Sequence, residues 1–141
     1  MLDYRQLKKF LPQAYPFLLL DYVEHYTPGQ SLVAVKNITA NEWPFSDCRC
    51  EIEHYPETLL IEAAAQAALV LYKVNQPDSP AKPAFIGKVK ADFFSPVNVG
   101  DQVSIAVKSS RIFGNGGFSD VEVLVNEEKK ADITAFYSIP K

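Results

Sequence analysis

Residues 55–72 read YPETLLIEAAAQAALVLY, and the reading of this stretch decides the fold. It holds no Gly and one Pro, Pro56, placed at its start. Proline suits the first turn of a helix, where its missing N–H has no partner to lose, and Glu57 beside it favours the positive end of the helix dipole. From Leu59 to Leu71 nearly every residue is Leu, Ile, Ala or Val. A helix that is apolar on all sides belongs in the middle of a soluble domain. Glu62 and Gln66 interrupt it four residues apart and so share one face. Glu62 lies too far along the helix to cap it, and a buried carboxylate without a partner costs several kcal/mol. Two explanations stand side by side. Either Glu62 belongs to a satisfied polar pair with Gln66 and a basic group from a strand, or it is kept in an apolar pocket to transfer or orient a proton.

The 141 residues suffice for one domain, 1–141, with a sizeable core. A hydrophobic content of 48% and a net charge of −3 argue against disorder and against a nucleic-acid binder. The apolar run is too short to span a bilayer, and MLDYRQLKKF at the start does not read as a signal peptide. Cys48 and Cys50 are too close in sequence for an unstrained disulfide. A cytoplasmic, reduced protein without membrane attachment is expected.

Around the helix the chain reads mainly as strands. Asp3 to Phe10 suggests a short helix closed by Pro12, and PFLLLDYVEHY followed by SLVAVKNI suggests a hairpin over 17–38, turning at Thr27-Pro28-Gly29. Asn41 to His54 is an irregular loop, and NQPDSPAKP after the helix is a polar linker. Four more strand-like runs follow, AFIGKVKADFF, QVSIAVKSSRIF, FSDVEVLV and KADITAFYSI, with Asn115-Gly116 as a hairpin cue. About six strands beside one apolar helix must curl around it, so the expected class is α+β, a sheet wrapped on a buried helix.

Several stretches together resemble one family. LPQAYPFLLLDYV at 11–23, VKNIT at 35–39 with Asn41-Glu42, LLIEAAAQAA at 59–68 and FIGKVKADFFSPVNVGDQV at 85–103 are similar to the hotdog-fold FabZ-type β-hydroxyacyl-acyl-carrier-protein dehydratases. The resemblance spans roughly residues 4 to 138, and the order and spacing of the motifs make it specific. It implies a hotdog fold, no cofactor, and an acyl thioester substrate carried by acyl-carrier protein or CoA. It further implies a homodimer or higher even oligomer in which a His from the loop of one subunit meets a Glu from the helix of the other.

Glu62 falls on the family's helix acid. The family's His falls on Cys48, fourteen residues earlier. The Pro-Gly step before the helix becomes Pro56-Glu57, and the His-Arg ahead of Tyr-Pro-Phe becomes Gln13-Ala14. A thiol with pKa near ~8.5 is a poor substitute for an imidazole as a proton shuttle at neutral pH. Cys48 as a nucleophile, His54 as a base displaced toward the helix, and Asp47 as a water-positioning acid are the candidate replacements. Cys48, Cys50 and His54 make a poor metal site because no second cluster supplies a fourth ligand. Gln66, Tyr15, Phe17, Phe45 and Glu57 are the expected pocket residues, with core or subunit packing as the plainer role for the aromatic ones. Lys88 and Lys90 alternate to one strand face and suit either solvent or an acidic carrier protein. Two function classes follow: an enzyme on acyl thioesters, either a divergent dehydratase or isomerase of β-hydroxyacyl or enoyl chains or a thioesterase using Glu62 to activate water, and a non-catalytic hotdog subunit that binds an acyl chain or completes a heteromer with an intact partner.

Overall fold

The computed structural model describes residues 1–45, 54–74, 85–113 and 115–138. Helix α1 (Tyr4–Phe10) is started by a capping box: the Asp3 side chain accepts from the Gln6 N–H, and the Gln6 side chain accepts from the Asp3 N–H. Strands β1 (Tyr22–Thr27) and β2 (Ser31–Asn37) form the first hairpin, and a 3-10 turn follows at Trp43–Phe45. Helix α2 (Glu57–Val74) comes next, then β3 (Phe85–Phe93), β4 (Gln102–Phe113), β5 (Gly116–Val125) and β6 (Glu128–Ser138). The six strands form one antiparallel sheet in the order β1-β2-β4-β5-β6-β3.

The alternation in the late strands explains how the sheet covers the helix. In β4, β5 and β6 the residues Val103, Ile105, Val107, Val121, Val123, Val125, Ala131 and Ile133 are buried, while their neighbours in sequence are more exposed. Each fully buried Val or Ile contributes about 1.5–3 kcal/mol relative to exposure. They meet a helix face of small residues, Ala63, Ala64 and Ala67, which lets the sheet approach closely. The β5–β6 turn places Asn126 and Glu127 at φ 50 and 68, the conformation that matches the twist of a tight hairpin.

Two expectations need correction. The first is that α2 is apolar and covered all round. It packs on β2, β4, β5 and β6, but a stripe of Thr58, Ile61, Glu62, Ala65 and Tyr72 is exposed or only half-buried. The reason is that β3 lies at the far edge of the sheet, beyond β6, so this single sheet wraps only part of the helix. The second concerns residues 17–21, which were expected to begin the first strand. The strand starts at Tyr22, because the Phe17 carbonyl and the Leu19 N–H bond to the side chain of Gln66 instead of to a neighbouring strand.

Candidate functional site

The candidate site lies on the half-open stripe of α2. Gln66 is 1% exposed, and its amide has no freedom of orientation. Its Oε1 accepts from the Leu19 N–H at 2.9 Å, so its Nε2 must face the two acceptors, the Phe17 carbonyl at 2.6 Å and Glu62 Oε1 at 3.1 Å. Gln13 Nε2 adds a second, longer donor to the same oxygen at 3.5 Å. Glu62 Oε1 is therefore an acceptor in every protonation state, and a proton on this carboxyl sits on Oε2. Helix geometry sets the rest: residues four apart share a face, so Gln66 holds Glu62 from one turn below.

The other expected residues are placed as follows. Phe17 takes part through its carbonyl, while its half-exposed ring lies 5.5 Å from Trp43, whose indole N–H donates to the Pro16 carbonyl at 3.2 Å. Tyr15 is 87% exposed and lines a different cavity of about 250 Å³, together with Trp43, Lys36, Glu42 and Asp21. Phe45 packs against Tyr55 with ring centroids 6.3 Å apart, at the entry to α2. Glu57 is exposed in the first turn of the helix, away from the Gln13–Glu62–Gln66 group. His54 is exposed, with Nδ1 2.5 Å from Asn98 Oδ1, across a short bridge between the two residues. Cys48, Asp47, Arg49 and Cys50 lie outside the described residues. Lys88 is exposed and reaches over the Phe136 ring at 5.6 Å, and Lys90 is exposed as well. Among the described residues no three His, Cys, Asp or Glu side chains group as a metal site.

Sequence reasoning missed two features. The contact of Gln13 with Glu62 joins residues 49 apart, and no spacing rule signals it. The second is a buried cluster beside the loop that leads to α2. Lys36 Nζ lies 2.5 Å from Glu42 Oε1, Glu42 Oε2 accepts from the Thr39 N–H at 2.7 Å, and the Lys36 ammonium sits 5.9 Å from the Tyr55 ring. Tyr55 is 1% exposed and its hydroxyl has no partner among the described residues. Burial, and then the charges of Glu42 and Asp21, push its pKa well above the usual tyrosine value of 10.0. The Lys36–Glu42 pair over this ring fixes the path of residues 36–45 against the start of the helix. The run VKNIT with Asn41-Glu42 carried that signal as a motif, without revealing the pairing.

An antiparallel sheet curled on one long helix is the hotdog architecture. The dehydratase heterocomplex ApeI:P from Xenorhabdus doucetiae has this fold: one of its chains matches with a TM-score of 0.81 at 15% identity, covering 96% of this chain and 91% of that one. In sequence, residues 11–133 match the model of the FabA-like domain. The 3-hydroxyacyl-[acyl-carrier-protein] dehydratase FabZ of Clostridium kluyveri is 36% identical over 129 residues, 91% of this chain and 89% of that protein. The enzyme of the same name from Shewanella pealeana is 40% identical over 111 residues, 76% of this chain and 72% of its own length. The chain belongs to the FabA-like family and is a divergent, FabZ-type hotdog protein.

Proposed function

We propose that this chain is a single-domain, cytoplasmic FabZ-like dehydratase acting on β-hydroxyacyl thioesters, with Glu62 as its acid. The observation that carries the reading is the fixed Glu62–Gln66 pair on the open stripe of the helix. In β-elimination a proton leaves the α-carbon, the Cβ–O bond breaks, and water departs with a proton delivered to the hydroxyl oxygen. Glu62 Oε2 is the proton source, since Oε1 is held by the Gln66 amide. The proton acceptor at the α-carbon comes from the loop before α2, where Cys48 and His54 are the candidates. The substrate is carried by acyl-carrier protein or CoA, and no cofactor takes part.

The site is completed by assembly. The half-open stripe of α2 and the edge strand β3, with Phe85, Ile86 and Phe93 exposed, are surfaces that a second hotdog subunit fits. A homodimer or an even multiple of it brings residues 43–54 of one copy to Glu62 of the other. A second reading is favoured by one residue: with Cys in place of His at position 48, the chain is the acid-bearing or chain-binding member of a heteromer whose partner supplies the base. The structural neighbour named as a dehydratase heterocomplex supports this form of assembly.

Incubation with β-hydroxyacyl and saturated acyl thioesters separates the readings. Conjugated enoyl thioester without free thiol is the dehydratase outcome. Free thiol from both substrates points to a thioesterase, and no turnover until a second hotdog subunit is added points to the heteromer.

A further inference from the structure

The face of the sheet turned away from α2 carries an ordered pattern of side chains. Strand register sets three rows across it: Lys88–Phe136–Phe118–Arg111, then Lys90–Thr134–Asp120, then Asp92–Asp132–Glu122. Ser119, Val121, Val123, Ile133 and Ala135, between them in sequence, are buried, so alternation points the rows outward. In the first row Phe136 is 37% exposed and its ring lies 5.6 Å from that of Phe118. The Lys88 ammonium sits 5.6 Å from the same ring, and Arg111 is exposed at the other end. Two phenyl rings are thus held in the open between two cations. The third row is acidic: Lys129 bridges Glu122 at 3.6 Å and Asp132 at 3.3 Å and offsets one of its three carboxylates. Beside that row is a hollow of about 280 Å³, lined by Lys108, Asp120, Glu122, Asp132 and Thr134. In the middle row the Thr134 hydroxyl donates to Asp120 Oδ1. One face therefore carries a protruding, basic, aromatic end and a hollow, acidic end.

We propose that this outer face binds the same face of a second copy of the chain, about a two-fold axis lying along the middle row. Rotation about that axis turns the face over and reverses the strand direction, so the first row of each copy lies on the third row of the other. Lys88 meets Asp92, Arg111 reaches Glu122, and the Phe118–Phe136 pair covers the hollow. Sheets stacked face to face lie about 10 Å apart, which leaves room for these side chains to interdigitate. Burial of the phenyl rings favours the contact, and the charges choose its orientation. A two-fold along the strands would instead set cations on cations and acids on acids. A uniformly acidic partner, whether a carrier protein or a nucleic acid, is repelled by the third row, and a uniformly basic one by the first. Only a partner with the same two ends satisfies both, and a second copy has them by construction. This surface is separate from the β3 edge and the α2 stripe, so the contact doubles whatever unit those form and does not depend on the dehydratase reading.

Charge reversal tests it. Light scattering over a concentration series reaching about 1 mM, the weak end of specific association, should show the wild-type mass doubling from its value at dilution. Lys88→Glu with Arg111→Glu makes both ends of the face acidic, and Asp92→Lys with Glu122→Lys makes both ends basic. Each variant alone should keep the undoubled mass, with circular dichroism confirming its fold. An equimolar mixture of the two should regain the doubled mass, because every acidic end then has a basic one to meet. Lys8→Glu with Lys9→Glu makes the same change of charge on exposed residues of α1, off the face, and should leave the doubling intact. A wild-type mass that never doubles overturns the proposal and leaves the face to solvent or to another partner. Doubling in either charge-reversed variant alone overturns it too, as does a mixture that stays at the undoubled mass. Loss of doubling in the α1 variant would assign the effect to net charge and overturn the assignment to this face.

Discussion

At the scale of residues, Gln66 joins structure to chemistry. One amide satisfies the Leu19 N–H, the Phe17 carbonyl and Glu62 Oε1, and so fixes both the non-strand course of 17–21 and the free oxygen of the acid. Gln66→Leu keeps the volume and removes all three partners, two of them backbone groups at a buried junction. The expected cost is about 2–4 kcal/mol, read as a lowered midpoint in urea with an unchanged slope. A midpoint at the wild-type value would mean that solvent satisfies these groups. Tyr55 makes a second test. Its folded pKa is raised, so the folded chain holds the phenolic proton more tightly than the unfolded chain does. The stability this gives is fully present below the ordinary tyrosine pKa of 10.0 and is lost as pH climbs beyond it. Tyr55→Phe should match or exceed wild-type stability at pH 7, since the hydroxyl has no partner among the described residues, and should flatten the fall of Tm above pH 10.0. Thermal melts across that range check both halves; an unchanged alkaline fall in the variant would assign it to other groups.

At the scale of elements, α2 and the late strands were legible because period and composition agree with burial there. Ala, Leu and Val at helical spacing and strict alternation in FSDVEVLV leave few alternatives. The open stripe was not legible, since Ile61 and Ala65 are apolar whether the sheet covers them or a second subunit does. The course of 17–21 was hidden for a related reason: FLLLD has the composition of a strand, and a buried glutamine 47 residues away from Leu19 takes the hydrogen bonds of the Leu19 N–H and the Phe17 carbonyl. Glu62 was readable as an anomaly, a carboxylate on an apolar helix, whereas Gln13 was visible only as a departure from a motif. The Ala-lined face of α2 gives the prediction for this scale. Ala67 is fully buried against the sheet, so Ala67→Leu forces the two layers apart and should destabilise by about 1–3 kcal/mol. Denaturant unfolding measures it. Wild-type stability in this variant would mean that the helix and sheet are loosely packed.

For the whole molecule, the curled sheet leaves the β3 edge and one helix face open for assembly. β3 pairs with β6 alone among the described strands, and the phenylalanines at its ends, Phe85 and Phe93, are exposed. An apolar open edge of this kind is a pairing surface. Light scattering at micromolar concentration should give a dimer or an even multiple of it. Phe85→Lys with Phe93→Asp should shift the population toward monomer with little loss of secondary structure. A monodisperse wild-type monomer would contradict the completed site drawn above, in which one copy's loop reaches the other's acid.

The claim that joins these scales is that Glu62 is the proton donor of a β-elimination, and one substitution tests it. Glu62→Gln keeps the shape and a hydrogen-bond partner for Gln66 but cannot release a proton. The rate of enoyl thioester formation from a β-hydroxyacyl thioester should fall by roughly 10²-fold or more in this variant, with the fold and the oligomeric state retained. Full activity in Glu62→Gln would make the helix acid structural and contradict the account.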